Sequence, residues 1–254
     1  DEDLIEAEGE DMIAISGGCI CCSFGSDLTA ALIKLSELAP PPDHVVIEAS
    51  GVAMPGTVAL SISILPGFAL AGVVVLADGE RVQAQAEDDY IGDTILRQLS
   101  DADVIVHSKT DLQPDDGAVE AVESWLQAMA PQAKIVPTAQ GRVPPDIILG
   151  LTGPNAKPQA SPHADAGYES RAFRHIPPCV PRDLAQKLAT GPYGVIRAKG
   201  FSRDCEGASW VIQTVGQRFE AQRSQKLDPA GLVCIGRSGA LDTAALEALF
   251  GLAG

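Results

Sequence analysis

Three short apolar runs narrow what this chain can fold into more than any other feature. They are Asp43-His-Val-Val-Ile-Glu48-Ala-Ser-Gly51, Gly72-Val-Val-Val-Leu-Ala-Asp78 and Ala102-Asp-Val-Ile-Val-His-Ser108-Lys109-Thr110-Asp111. Apolar runs that are bounded by turn residues and alternate with helical stretches read as buried parallel strands. The fold class expected is therefore α/β. In such sheets, function gathers at the carboxyl ends of the strands, which is where Glu48, Asp78 and Asp111 fall.

A second feature is chemical. Gly17-Gly18-Cys19-Ile20-Cys21-Cys22-Ser23 places three thiols within four residues. Thiolates are soft ligands suited to Zn²⁺, Co²⁺ or Cu⁺, and the flanking glycines let the backbone turn so that the side chains can converge. Two other readings stay open. One is a tight turn with inert cysteines. The other is a thiol redox protein, since Cys19 and Cys22 have the Cys-x-x-Cys spacing but lack a thioredoxin-like context. Cys179, Cys205 and Cys234 are dispersed and read as packing residues. No two histidines form an i,i+4 ligand pair, and His107 reads as a core residue at a strand end rather than a ligand.

On the Gly-Gly-Cys-Ile-Cys-Cys turn, the Ile47-Glu-Ala-Ser-Gly51 run and Ser108-Lys109-Thr110-Asp111, the sequence resembles the CobW-like GTPases, a metallochaperone and metal-insertase family. Gly194-Val-Ile-Arg-Ala-Lys-Gly-Phe201 resembles the start of that family's C-terminal domain. Order and spacing fit along nearly the whole chain. The resemblance implies a P-loop NTPase-like, mostly parallel sheet with helices on both faces, followed by a small α+β domain. It also implies the site residues. Cys21 and Cys22 would be metal ligands, with Cys19 a third or alternative. Glu48 and Gly51 would be the switch residues. Ser108, Lys109 and Asp111 would be the guanine site, with the Ala139 backbone in a fifth nucleotide-contacting loop. The cofactors would be GTP or GDP, Mg²⁺, and Zn²⁺ or Co²⁺. The partners would be a client metalloprotein or an enzyme of cobalamin synthesis.

The physical roles follow from residue type. An Asp111 carboxylate can accept from the guanine N1–H and N2 amine, bonds of about 1.5–3 kcal/mol each, and adenine has no matching donor pair. The Lys109 stem would lie along the base. Ser108 stands where the family has Asn and can make fewer bonds. Gly51 would bring its N–H toward a γ-phosphate, and Glu48 would hold Mg²⁺ through a water or orient the attacking water. Asp78 reads as a turn former, with a second acidic support for Mg²⁺-bound water as the alternative.

Composition sets the outer bounds. The net charge is −16, with 25 acidic against 6 basic residues in 1–150 and 9 against 12 in 151–254. The acidic half argues against nucleic-acid binding and could concentrate cations near the thiols. No apolar stretch approaches the roughly 18 residues of a membrane span, so no membrane partner is expected. With no signal peptide, the thiols are expected to face a reducing cytoplasm. The chain starts at Asp1, and no Gly-x-x-x-x-Gly-Lys-Ser/Thr occurs in it. The expectation is that a first strand and P-loop precede Asp1, together with a family Glu that completes the metal site. On that reading the 254 residues alone are inactive as a GTPase. The rival is a non-hydrolysing metal- or nucleotide-binding module without a P-loop.

The expected organisation is a GTPase domain over 1–140, a Pro/Gly-rich linker over 141–168 and an α+β domain over 169–254. Strands are expected at 12–15, 45–49, 72–77, 104–107 and 134–137. Helices are expected at 28–38, capped by Ser26 or Asp27, from Pro55 onward, at 83–99, and from Asp115 or Asp116 to Met129, with one helical turn at 146–151. The second domain is expected to run strand 172–176, helix 181–188, strands 195–198, 210–215 and 231–235, and helix 243–250.

Overall fold

The computed structural model describes residues 24–149, 167–225 and 229–252. The Cys19, Cys21 and Cys22 turn and the strand expected at 12–15 lie outside the described residues. The chain divides into two compact units, Asp1–Leu70 and Ala71–Gly254.

In the first unit, helix α1 (Phe24–Ser36) and helix α2 (Pro55–Ser63) enclose a small core of Leu28, Leu32 and Ile62. Leu35, Ile47, Val58, Leu65, Phe68 and Leu70 pack around it. Leu28, Leu32 and Leu35 follow the i, i+4, i+7 stripe of a half-buried helix. Ser26 and Asp27 fall inside α1 rather than before it. α2 opens on Pro55, whose fixed φ suits a first helical turn. The strand expected at 45–49 is not formed, and residues 44–50 have no regular secondary structure. Ile47 reaches the small core while Val46 is 70 % exposed. A short apolar run alone does not make a strand without a neighbour to complete its ladder, and none of the described residues pairs with this one.

The second unit begins with β1 (Val74–Asp78), followed by helices α3 (Val82–Ala86) and α4 (Gly92–Ser100). One helix was expected across 83–99. Asp88 divides it, its Oδ1 accepting from the Tyr90 and Ile91 amides at 2.8 and 3.2 Å, a local bond that competes with helix continuation. Strand β2 (Val104–Ser108), helix α5 (Asp116–Met129) and strand β3 (Lys134–Pro137) follow. The N-cap of α5 is Asp115, which accepts from the Ala118 amide at 2.8 Å. The three strands form a parallel sheet in the order β1-β2-β3. Side chains alternate across β2. Ile105 joins Ala77, Leu99, Val122 and Leu126 on the face covered by α4 and α5. Val104 and Val106 join Val136 on the opposite face.

That opposite face is covered by helix α6 (Pro145–Ile148) and by a five-stranded antiparallel sheet. The latter holds β4 (Tyr168–Arg174), helix α7 (Pro181–Thr190), β5 (Val195–Arg203), β6 (Ser209–Val215), β7 (Arg218–Arg223), β8 (Gly231–Arg237) and helix α8 (Thr243–Leu249). The strand order is β4-β8-β5-β6-β7. One face of this sheet packs Ala198, Ile212, Leu232 and Cys234 against Leu184, Leu188, Leu246 and Phe250. Its other face sends Ile196, Val215 and Ile235 to the parallel sheet. The sequence reading started β4 four residues late and did not expect β7, an edge strand whose exposed positions are charged or polar. Cys234 is a packing residue as expected, but Cys205 is exposed.

Three arginines of the antiparallel sheet fasten the two sheets together. Arg197, 3 % exposed, donates to the carbonyls of Ile147, Ile148 and Leu149 at 3.2, 2.8 and 3.2 Å. It therefore satisfies the end of α6, where carbonyls lack helical partners. Arg218 Nε donates to Asp103 Oδ2 at 2.9 Å, and the same oxygen accepts from the Val73 amide at 2.8 Å. Arg237 Nη2 donates to Glu123 Oε1 at 2.8 Å.

Candidate functional site

The carboxyl ends of β1, β2 and β3 gather one group of the expected residues. At the end of β2, the Ser108 hydroxyl donates to the Ala77 carbonyl at 3.0 Å and so ties the loop to β1. Lys109 then adopts φ 59°, a left-handed conformation uncommon for a non-glycine residue. The chain turns there into a short 3₁₀ turn over Thr110–Leu112. Asp111 sits on that turn, exposed and without a hydrogen bond or ion pair to other described residues.

The Lys109 ammonium meets Asp78 Oδ2 at 2.7 Å, and Asp78 Oδ1 accepts from the Glu80 amide at 3.0 Å. Asp78 is thus the turn former expected and also an anchor for Lys109. Burial pushes its carboxyl upward, but the Lys109 hydrogen bond, the Glu80 amide and the charges of Lys109 and Arg81 outweigh it. Its pKa lies below the ordinary carboxylate value.

Two more contacts complete the loop's frame. The Gly79 amide donates to the Ser108 carbonyl at 3.0 Å, and Gln113 Nε2 donates to the Gly79 carbonyl at 3.2 Å. Only a glycine fits at 79, since a Cβ there would lie 2.6 Å from His107 Nε2 and 3.0 Å from the Ser108 oxygen. The 138–140 loop lies alongside, with the Thr110 amide donating to the Thr138 carbonyl at 3.3 Å. Ser108, Lys109, Asp111 and Ala139 are therefore brought to one end of one sheet.

Beneath them, His107 is wholly buried, as expected of a core residue. Burial holds its pKa below the ordinary imidazole value, although the nearby Glu123 acts in the opposite direction. The parts of the frame not anticipated from sequence are Gly79, Gln113 and the Glu123–Arg237 pair. The Asp78-Gly79 dipeptide, a turn signal closing a strand, is the one of these with a local signature.

Glu48 and Gly51 belong to the first unit. Glu48 is exposed, and an added Cβ at Gly51 would meet nothing within 4 Å. Among the described residues no group of three or more His, Cys, Asp or Glu side chains forms a metal cage. No described helix is long and apolar enough to cross a membrane.

Comparison with known proteins gives this geometry its context. The chain is 29 % identical over 164 residues to the "Zinc chaperone CobW" of Sinorhizobium sp., covering 56 % of this chain and 46 % of that protein. It is 30 % identical over 138 residues to the "Zinc-regulated GTPase metalloprotein activator 1" of Schizosaccharomyces pombe, covering 53 % and 33 %. The chain thus spans less than half the length of these two relatives. Among solved structures, the Zn(II)-bound YjiA GTPase of Escherichia coli aligns with a TM-score of 0.40 at 20 % identity, over 89 % of this chain and 74 % of that one. Residues 168–253 match the model of the cobalamin synthesis protein cobW C-terminal domain. Residues 1–137, more than half of the sequence, match that of the CobW/HypB/UreG nucleotide-binding domain, and the chain belongs to this family.

Proposed function

We propose that this chain is the body of a GTP-dependent metallochaperone or metal insertase, in which GTP hydrolysis controls the binding and delivery of a divalent transition metal, Zn²⁺ or Co²⁺. The observation that carries the reading is the loop at the end of β2. There an exposed Asp111 carboxylate stands on a turn fastened by Ser108, Lys109 and Gln113 beside the 138–140 loop.

In this reading Asp111 accepts from the guanine N1–H and N2 amine, the Lys109 stem, anchored through Asp78, flanks the base, and the Ala139 amide faces the guanine carbonyl. Gly51 offers its amide to the γ-phosphate, since a residue without Cβ permits close approach. Glu48 orients the attacking water or holds a Mg²⁺-bound water; Mg²⁺ itself supplies charge neutralisation on the phosphates. Cys21 and Cys22, with Cys19 as a third or alternative ligand, carry the metal as thiolates. The names of the relatives, zinc chaperone and zinc-regulated GTPase metalloprotein activator, support the same assignment. A client metalloprotein is the expected recipient, and the cytoplasm the expected setting.

The test is a paired titration. GTP and ATP affinities are compared in wild type and Asp111→Asn, and Zn²⁺ affinity is compared in wild type and a Cys21→Ser/Cys22→Ser variant, with and without GTP. The expected result is guanine preference lost with Asp111 and Zn²⁺ binding lost with the thiols. Zn²⁺ should bind more tightly as pH rises toward the ordinary thiol pKa of about 8.5, because ligation releases protons. GTP affinity indifferent to Asp111→Asn would overturn the base site. Zn²⁺ affinity indifferent to the cysteine changes would overturn the metal site.

A further inference from the structure

One buried polar side chain beneath the base loop has no part in that reading. His107 is 0 % exposed, neither ring nitrogen makes a hydrogen bond of good geometry, and the Gln113 side chain is the polar group that interacts with the ring from the loop. Its Nε2 faces Gly79, the residue that donates to the Ser108 carbonyl. Its Nδ1 lies 4.0 Å from Glu123 Oε1, beyond hydrogen-bond range. That oxygen instead accepts from Arg237 at 2.8 Å. One carboxylate on α5 therefore stands between a cation at the end of β8 and an imidazole at the end of β2, and it is committed to the cation.

We propose that Arg237, Glu123 and His107 form a positioning relay through which the antiparallel sheet governs the geometry of the Ser108–Asp111 loop. While Arg237 holds Glu123, His107 stays unpaired under Gly79 and the loop keeps its frame. When Arg237 is withdrawn, Glu123 needs to move only about 1 Å to accept from Nδ1. A carboxylate so placed favours the imidazolium, and the ring is drawn toward α5, away from Gly79 and Gln113.

The groups facing His107 are Glu123 from α5, Arg237 from β8 and Gln113 from the loop, with the Asp78–Lys109 pair joined to the same loop. A cleft of ≈ 650 Å³ lined by Glu123, Gln127, Lys134, Ile196 and Arg237 opens beside the pair. An acidic group entering it would compete with Glu123 for the guanidinium, which gives the relay a physical input.

The relay rests on the reading that this loop binds guanine, and its test separates the two. The His107 ring titration is followed by NMR in wild type, Arg237→Gln, Arg237→Lys and Glu123→Gln, and the affinity for a fluorescent GDP analogue is measured from pH 6 to 8 in each. Arg237→Gln is expected to move the His107 midpoint upward and to weaken GDP by about fivefold at the acid end, in the usual range of site-to-site coupling. Arg237→Lys should restore both, and adding Glu123→Gln to Arg237→Gln should abolish the upward shift. If Arg237→Gln misfolds, Glu123→Gln alone still reports, because it must lower the His107 midpoint relative to wild type. An unmoved His107 titration across the set overturns the relay whatever happens to GDP. A moved titration with GDP affinity unchanged overturns its link to the loop, provided Asp111→Asn weakens GDP. If Asp111→Asn also leaves GDP affinity unchanged, the guanine reading is what fails.

Discussion

Ser108–Asp111 and Glu48–Gly51 are the two segments to which the proposal assigns nucleotide chemistry, and the chain builds each in an opposite way. The first is held by a parallel sheet, by the Gly79 and Gln113 contacts and by a second sheet clamped from behind by Arg197, Arg218 and Arg237. Among the described residues, the second lies in irregular chain with Glu48 exposed and Ile47 reaching a small core. Selecting a base requires acceptors fixed in advance, because a hydrogen bond discriminates only where its geometry is set. Switch residues must move with the γ-phosphate, and elements that move are drawn from the less packed end of a structure. The contrast is therefore one expected of a nucleotide-dependent switch.

The largest expected effect tests the packing half of this contrast. Ile105→Ala, at a wholly buried position between α4 and α5, should cost about 2–5 kcal/mol. Val46→Ala, at a position 70 % exposed, should cost under about 0.5 kcal/mol. Chemical denaturation of both variants measures the gap, and equal losses would erase the distinction between the two regions.

The next effect falls on binding. Asp111→Asn should remove acceptor bonds of about 1.5–3 kcal/mol each, a loss of tenfold or more in GTP affinity. It should shift preference toward xanthine nucleotides, whose carbonyl can accept from the new amide. Calorimetry with GTP and XTP decides it. A parallel loss of both nucleotides would indicate a collapsed loop instead of a changed acceptor.

How far sequence foresaw these elements follows from where their causes lie. Helix α5 and strand β3 were legible almost residue by residue, because the Asp115 cap, the apolar stripe of Val122 and Leu126 and the turn residues after Met129 are local signals. The strand expected at 45–49 rested on a short apolar run bounded by turn residues, which signals burial but supplies no ladder partner. The break in the helix at 83–99 depended on an Asx turn at Asp88 that composition does not reveal. In the base loop, the residue types Ser108, Lys109 and Asp111 were readable as a motif. What holds them was not, because Gln113 to Gly79 and Glu123 to Arg237 are tertiary contacts across 34 and 114 positions.

A matched pair of glycines sharpens the comparison further. Gly79→Ala would press a Cβ against His107 Nε2 and the Ser108 carbonyl, and overpacking of this kind costs about 1–3 kcal/mol. Gly51→Ala meets nothing within 4 Å and should leave stability within about 0.5 kcal/mol. Function should rank them by a different measure. Gly79→Ala should weaken base binding, while Gly51→Ala should slow any GTP hydrolysis with nucleotide affinity nearly kept. Thermal melts, GDP affinity and turnover on the two variants give the full matrix. A Gly51→Ala protein with normal turnover would remove Gly51 from the switch.

The smallest effect concerns the Asp78–Lys109 pair at the rim of the base loop. The ammonium is about half exposed and the carboxylate largely shielded, at 47 % and 23 %. A pair so placed is worth about 0.2–1 kcal/mol, so Asp78→Asn should destabilise by no more than that. The sign of its pH dependence is fixed by the direction of the shift. The folded carboxyl lies below its ordinary value of 3.8, so the unfolded chain binds the proton first as pH falls. The contribution is fully present above the ordinary carboxylate range and is lost as pH drops below 3.8 through the folded value. Denaturation of wild type and Asp78→Asn at pH 6.5 and at pH 3 should show the gap between them narrowing in acid, and added salt should narrow it at pH 6.5 as well. A gap unchanged by acid and by salt would mean that Asp78 acts through its bond to the Glu80 amide alone, which an asparagine oxygen can also accept. Lys109 would then owe its left-handed turn to the backbone, and the rim of the base loop would be as loosely governed as the Glu48–Gly51 segment.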